Sequence, residues 1–212
     1  MSDGTLALVK SPTAAEICKK VELAEAARAL LAPQLTPRQY LDALIAQQLW
    51  EDACLFLAHG LPRREAIWWA FQCAKQVKAE PPHATALQAV EKWLLTPNEE
   101  HRKAAEAAAE PAGALGTAPG AAAKAVAWTG GSLTPPDQIP VPPPETGPNL
   151  TAAIAVLMAG VTIDPAQSEI KFAEFLKLGV EVANGANRWP EPPPAPAAAP
   201  PRAAAAPARR LR

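Results

Sequence analysis

The sequence has few of the side chains from which metal sites and catalytic sites are built. Its 212 residues include three histidines and three cysteines, and these show no spacing typical of metal ligands. No serine lies in a Gly-x-Ser-x-Gly segment, and the tight glycine cluster Gly130-Gly131-Ser132 lacks the lysine of a phosphate-binding loop. We therefore predict no catalytic residue, no metal and no cofactor, which favours a protein that is not an enzyme.

Net charge and long apolar runs are also missing. The 20 lysines and arginines are balanced by 21 aspartates and glutamates, so no overall basic field attracts nucleic acid or an anionic membrane. No run of about 18 apolar residues occurs, and the N-terminus lacks the basic and then apolar pattern of a secretory signal. We expect a cytoplasmic protein that inserts into no membrane and binds no specific nucleic acid.

The cysteines are few, odd in number and widely spaced. Cys18, Cys54 and Cys73 each lie within an apolar pattern typical of helices. Free cysteine is among the most buried residue types, and disulfides are rare in reducing compartments. We therefore predict buried free thiols.

Alanine and proline are abundant. Alanine makes up 49 residues, whereas leucine, isoleucine, valine and phenylalanine together make up 43. With so few large apolar residues, the hydrophobic core must be confined to part of the chain. Seven of the 25 prolines lie between residues 135 and 148 and eight between 190 and 207, where neither helix nor central strand can form. These boundaries predict one domain with flanking segments. They are a flexible N-terminus (1–10), a helical domain (11–189) made of a helical block (11–110), an Ala/Gly/Pro-rich connector (111–148) and a helical hairpin (149–189), and a disordered tail (190–212).

The sequence predicts the start of a helix at four places. Thr36-Pro37-Arg38-Gln39 and Thr96-Pro97-Asn98-Glu99 each combine a capping hydroxyl, a proline and a long acceptor three residues later. Asp164-Pro165 and Ser11-Pro12 repeat part of this pattern. No segment alternates as a strand would, so we predict an all-α protein. It is an irregular helical bundle or, as the alternative, a short solenoid-like stack of helix pairs.

Two helices differ sharply in their predicted surroundings. From Pro62 to Val77, apolar residues occupy almost every direction around the helix, which predicts a central, buried helix. From Glu99 to Glu110, charged residues and alanine leave almost no large apolar side chain, which predicts a solvated surface helix.

Arg63 and Arg64 lie in the first turn of the predicted central helix, where positive charge opposes the helix dipole. Pairing with Glu51 and Asp52 of the preceding helix explains them structurally. Recognition of an anion or of a protein partner explains them functionally.

Trp68 and Trp69 are adjacent, so they point about 100° apart and cannot face the same neighbour. Both belong to the core in one interpretation, and one is an exposed binding anchor in the other. His59, near a predicted helix end, is interpreted as a helix-end residue and not as a metal ligand.

The C-terminal tail carries Arg202, Arg209, Arg210 and Arg212 against the single acid Glu191. This composition predicts a solubilising extension, with recruitment of nucleic acid or an acidic partner as the alternative. Trp189, directly before the tail, is predicted to latch the end of the last helix.

Four segments give the chain a resemblance to a known family. They are Leu-Pro-Arg-Arg-Glu-Ala-Ile-Trp-Trp-Ala at 61–70, Trp-Glu-Asp-Ala at 50–53, Gly-Gly-Ser-Leu-Thr-Pro-Pro at 130–136 and Asn-Arg-Trp at 187–189. Over most of residues 36–189 the chain resembles a family of small, uncharacterised bacterial proteins. The resemblance implies a helical fold without established activity, an association with type VI secretion gene neighbourhoods, and a Gly-Gly-Ser…Pro-Pro stretch that folds back across the helices. It carries over no catalytic residue.

Two classes of function stay open. The first is a non-enzymatic scaffold or accessory protein that binds a protein partner. Its candidate contact residues are Arg63, Arg64, Trp68 and Trp69. The second is an enzyme or small-ligand-binding protein whose site is assembled from separate helices. A pocket lined by His59, Glu65 and Arg64 would favour the second class, and a flat apolar patch rimmed by arginine would favour the first.

Overall fold

The structure is a computed structural model that describes residues 5–78, 80–134 and 137–187. Within these ranges the chain forms ten α-helices and no β-strand, which confirms the predicted all-α class. The helices are α1 (Ala14–Cys18), α2 (Glu25–Ala29), α3 (Pro37–Ala46), α4 (Trp50–Gly60), α5 (Arg63–Ala74), α6 (Pro81–Leu95), α7 (Glu99–Ala109), α8 (Ala118–Ala127), α9 (Gly147–Ile163) and α10 (Ser168–Ala183). The predicted tail (190–212) and the predicted latch Trp189 lie outside the described residues.

Two of the predicted helix starts are correct. Thr36 forms a complete capping box with Gln39, whose backbone N–H donates to the threonine hydroxyl. Asp164 accepts a hydrogen bond from the backbone N–H of Ala166 and starts a 3-10 turn, Pro165–Gln167, that leads into α10.

Each of the other two helices begins two residues later than predicted. Asn98, not Thr96, caps α7, because its side chain accepts from the backbone N–H of His101 and asparagine is a stronger N-cap than threonine. Thr96 instead ends α6. The residue before α1 is Thr13, whose side chain makes no capping bond.

Helix α5 is the central helix that its all-round apolar pattern predicts. It contacts α6, α8, α9 and α10, and eight of its residues are buried. A helix surrounded in this way needs an apolar side chain in every direction, which explains its weak amphipathicity.

Large side chains fill the space around α4, α5 and α10, and we call this region the aromatic core. Its fully buried rings belong to Tyr40, Phe56, Trp69, Phe71 and Phe175. Tyr40 and Phe56 meet edge to face, with ring centroids 4.9 Å apart. The polar atoms of these rings also have partners, since the Tyr40 hydroxyl donates to the Ala27 carbonyl over 2.7 Å.

Small side chains dominate the contacts among α7, α8 and α9, and we call this region the alanine layer. Nine of the ten residues of α8 are buried. The buried alanines of the layer are Ala105, Ala108, Ala109, Ala118, Ala121, Ala122, Ala123, Ala125, Ala127, Ala152, Ala153, Ala155 and Ala159. Side chains of one carbon let helix backbones approach closely and make many van der Waals contacts.

The alanine layer changes two expectations from the sequence. The segment 111–148, predicted as a connector, contains the buried helix α8. Helix α7, predicted to be solvated, buries Arg102 and three alanines on one face. Alanine contributes little to hydrophobic patterns because it is small, so a face built from alanine carries a weak signal in the sequence.

Residues 5–10, within the predicted flexible N-terminus, pack onto the end of α10. Leu6 is buried, and the backbone N–H of Leu8 donates to the Ala183 carbonyl over 2.8 Å. All three cysteines are free. Cys54 and Cys73 are buried as predicted, whereas Cys18 is only half-buried.

Membrane-spanning length was checked on the helices of the described ranges. No single helix there is both long and apolar enough to cross a bilayer. Helix α9 and the segment Pro165–Ala183 reach that length and composition only as a pair, and they are bent by 113° at the break between them.

Candidate functional site

The two predicted tryptophan contacts are core residues in the structure. Trp69 is fully buried, and its indole N–H donates to the Phe175 carbonyl over 2.7 Å. Trp68 is also buried, and its indole N–H donates to the Ala186 carbonyl over 3.3 Å. Of the two interpretations of this pair, the structure shows the core one, and neither ring is an exposed anchor.

The two predicted arginine contacts have different environments. Arg64 reaches the end of α6, where its guanidinium donates to the Leu94 carbonyl. A cation at that position interacts favourably with the helix dipole. Arg63 is exposed and donates to the backbone carbonyl of Glu145 over 3.3 Å. A partner contact at Arg63 stays a prediction.

The structural explanation offered for these arginines also needs correction. Asp52, expected to pair with them, is buried and accepts the backbone N–H of Ala24 over 2.8 Å. It fastens the start of α2 onto α4.

A loop follows α8, and we call its described residues, 130–134 and 137–141, the exposed loop. The backbone N–H of Leu133 donates to the Val141 carbonyl over 2.8 Å, so the two arms of the loop are hydrogen-bonded to each other. The Ser132 hydroxyl accepts the backbone N–H of Val141 over 3.0 Å. The Thr134 hydroxyl donates to the Ile139 carbonyl over 2.8 Å. Local side-chain bonds of this kind fix a loop without secondary structure.

The exposed loop presents apolar side chains to solvent. Ile139 is 86% exposed, Leu133 49% and Val141 46%. Single exposed apolar residues are ordinary, but a group of them on one ordered loop is typical of a binding surface.

Arg102 of α7 anchors the base of this loop. Its guanidinium donates to both carboxylate oxygens of Glu99 and to one of Glu106, and it also donates to the Ala127 carbonyl at the end of α8. Gly131 lies against the guanidinium, so that a Cβ at this position would be 2.7 Å from one of its nitrogens. Gly131 therefore contacts α7, whereas the implied folding of the whole Gly-Gly-Ser…Pro-Pro stretch across the helices stays a prediction.

Arg102 and Glu99 each stabilise the charged form of the other. Its hydrogen bonds to Glu99 raise the pKa of the guanidinium, and the same bonds lower the pKa of the Glu99 carboxyl. Because bidentate bonds fix orientation as well as charge, they hold the guanidinium flat against the glycine backbone.

A second candidate site, which we call the polar cleft, lies where α4 ends and where α5 and α9 begin. Its volume is about 210 Å³. Its lining residues are Lys20, His59, Leu61, Pro62, Arg63, Glu145, Thr146 and Asn149. A pocket with His59, Arg64 and Glu65 was the predicted sign of a small-ligand site. The cleft contains His59, but it contains Arg63 in place of Arg64 and Glu65.

The buried polar residues of the cleft are fixed by backbone carbonyls. His59 is 8% exposed, and its Nδ1 lies 2.8 Å from the Leu55 carbonyl oxygen, which can only accept a hydrogen bond. Nδ1 therefore carries the proton. Burial, together with the charge of Lys20, lowers the pKa of His59. Asn149 donates through its amide nitrogen to the carbonyls of Ala58 and Leu61, which ties the start of α9 to the end of α4.

The sequence predicted His59 as a helix-end residue and Arg63 as a partner contact, but it did not connect them with Lys20, Glu145 and Asn149. These three residues lie about 40 to 90 positions from His59, so no local spacing joins them to it. Arg102 was missed for a different reason, since the other buried residues of its helix are all alanines. A signal was present there, because an arginine on the same face as Ala105 and Ala109 faces a neighbouring helix and not solvent.

Comparisons with known proteins place the chain in a family but assign it no activity. Residues 40–183 match the model of DUF6931, a family of unknown function. The chain belongs to this family. The DUF6931 region includes α4 to α10, the exposed loop and most of the polar cleft, and it leaves out Lys20. No curated protein and no solved structure matches the chain.

No group of three or more histidine, cysteine, aspartate or glutamate residues in the described ranges is placed to hold a metal ion.

Proposed function

We propose that this DUF6931 protein is a non-enzymatic interaction protein that binds a protein partner through its exposed loop. The observation that carries the proposal is the combination of order and exposure in that loop. Ile139, Leu133 and Val141 are held toward solvent by hydrogen bonds within the loop.

The order of the loop matters because binding must compensate for lost conformational freedom. Immobilising a side chain or a loop on binding costs about 0.5–1.5 kcal/mol per side chain, and a loop fixed before binding avoids part of that cost. Arg102 and Gly131 fix the base of this loop from below. When a partner removes the apolar side chains of the loop from water, the burial stabilises the complex.

The resemblance noted in the sequence supports a specific first partner. That resemblance implies an association with type VI secretion gene neighbourhoods, so we propose as the partner a component of that bacterial apparatus, bound in the cytoplasm. Arg63 is the predicted contact residue that remains exposed, and we propose it as a secondary contact.

The experiment is affinity capture of the full-length tagged protein from its own host, followed by mass spectrometry and by titration of the purified pair. We expect a stoichiometric protein partner, and we expect I139A combined with L133A to weaken its binding by about tenfold or more. Each purified variant should keep the helical circular dichroism spectrum of the parent chain.

The matched control is L115A, which removes a leucine of similar exposure from the 3-10 turn Ala114–Gly116, outside the exposed loop. This variant should bind as the parent does. Equal binding by the loop double variant, or no retained partner from the host, would contradict the proposal.

A further inference from the structure

The polar cleft offers an unusual mixture of hydrogen-bonding groups for so small a volume. Two cations, Lys20 and Arg63, and one carboxylate, Glu145, line it. The Arg63 guanidinium bonds to the backbone carbonyl of Glu145 and is thereby held at the rim of the cleft. The lining charges sum to a net positive charge, which favours an anion.

The floor of the cleft supplies acceptors instead of donors. His59 uses Nδ1 to donate to Leu55, so the ring nitrogen left for a ligand is Nε2, which carries a lone pair. Asn149 uses its amide nitrogen to donate to two carbonyls, so the group left for a ligand is its carbonyl oxygen. Both side chains are more than nine-tenths buried.

A ligand that uses all of these groups has both anionic oxygens and at least one hydroxyl hydrogen. Lys20 and Arg63 donate to the anionic oxygens, and His59 or Asn149 accepts the hydroxyl hydrogen. A carboxylate has no hydroxyl hydrogen, whereas a singly protonated phosphate has one beside its charged oxygens. The first turn of α9, a helix of 17 residues, adds favourable dipole charge at the same place.

We propose that the polar cleft is a binding site for a phosphate group, either free phosphate or the phosphate of a small phosphomonoester. Lys20 and Arg63 bind the charged oxygens, and His59 and Asn149 orient the protonated one. The site lies apart from the exposed loop, and the proposal does not depend on the partner proposed for that loop.

Binding should also change the titration of His59. Burial and the Lys20 charge lower the pKa of His59 in the empty cleft, and the other charges lining the cleft are Arg63 and Glu145. A bound phosphate adds negative charge next to the imidazole, so it must raise the pKa of His59.

The experiment is a titration of the full-length chain with inorganic phosphate, O-phosphoserine and acetate, followed by the NMR signal of the His59 ring and by calorimetry. We expect saturable binding of at least one phosphate compound, about tenfold or more tighter than that of acetate. At saturation the pKa of His59 should increase. Tighter binding of inorganic phosphate identifies free phosphate as the source, and tighter binding of O-phosphoserine identifies a phosphomonoester.

Two variants of exposed residues, R63Q and K20Q, test the assignment without removing a buried group. Each should weaken phosphate binding by about tenfold and leave the helical circular dichroism spectrum unchanged. The control is R38Q, whose arginine pairs with Asp42 on α3 away from the cleft, and it should bind phosphate as the parent does. Failure to bind either phosphate compound, binding no tighter than acetate, or undiminished binding by both R63Q and K20Q would overturn the proposal.

Discussion

The aromatic core and the alanine layer are buried to the same degree but are stabilised differently. In the aromatic core, a few rings such as Trp69 and Phe56 each remove a large apolar area from water. In the alanine layer, side chains such as Ala122 and Ala155 each remove little area, and the gain comes from the close approach of whole helices. The two halves of one protein thus represent two ways of filling an interior.

Because of this difference, opposite changes in side-chain volume should destabilise the two regions. The aromatic core should be most sensitive to loss of volume, because a removed ring leaves a cavity. The alanine layer should be most sensitive to added volume, because no space separates its helices.

Trp69→Ala should have the largest effect. It removes a fully buried ring and leaves the Phe175 carbonyl without its donor, so we expect a loss of about 3–5 kcal/mol in the free energy of unfolding. Urea denaturation followed by circular dichroism measures it. A loss below about 1 kcal/mol would show that the core relaxes around the cavity, which would contradict the expected sensitivity of the aromatic core to loss of volume.

A milder pair of substitutions sharpens the same point. Trp69→Phe removes a satisfied indole N–H, whereas Trp50→Phe removes a buried indole N–H for which the described residues provide no acceptor. Trp50→Phe should therefore cost less stability than Trp69→Phe.

Ala122→Leu tests the alanine layer directly. Ala122 is fully buried in α8, so three added carbons must displace a neighbouring helix, and we expect a loss of about 1–3 kcal/mol. The control is Ala104→Leu on the exposed side of α7, which should change stability by less than about 0.5 kcal/mol. Equal effects of the two substitutions in urea denaturation would mean that the layer contains unfilled space.

Gly131→Ala tests the contact between the layer and the exposed loop. Gly131 has φ +79°, and an added Cβ would meet the Arg102 guanidinium, so we expect a loss of about 1–2 kcal/mol. Gly116→Ala is the matched control, since nothing lies within 4 Å of its Cβ position. Thermal unfolding compares them, and the same melting temperature for both variants would contradict the role given to Arg102.

The smallest expected effect is the pH dependence contributed by His59, at the edge of the aromatic core. Its pKa is lower in the folded than in the unfolded state, mainly because of burial. The unfolded chain therefore takes up a proton first as the pH falls below about 6.5, and stability decreases there. His59→Asn should reduce this decrease between about pH 6.5 and 5, relative to the parent chain. Urea denaturation at several pH values distinguishes the two.

The comparison also explains how much the sequence could predict. The spacing of neighbouring residues predicts the capping box at Thr36 and the central position of α5, and both predictions are confirmed. Helix α8 was taken as part of a connector because alanine faces give no amphipathic signal. The start of α7 was misplaced because Thr96 satisfies the full capping pattern, whereas Asn98, which caps the helix, lacks the proline and the long acceptor of that pattern.

The candidate sites were harder to predict than the fold. The polar cleft joins Lys20, His59, Arg63 and Asn149, which only the packing of α4, α5 and α9 brings together. The sequence singled out Trp68 and Trp69 but did not predict whether each ring is buried. Adjacency on a helix does not decide which neighbour covers each ring.

The way in which the exposed loop is fastened has a consequence for protein engineering. Its base is held by Arg102 against Gly131, and Leu133 and Val141 join its arms through backbone atoms. The Ile139 side chain is exposed and takes no part in this fastening, so it can be exchanged while the attachment points stay in place. The protein is in this respect a natural display scaffold, on which foreign peptides could be presented at a fixed position.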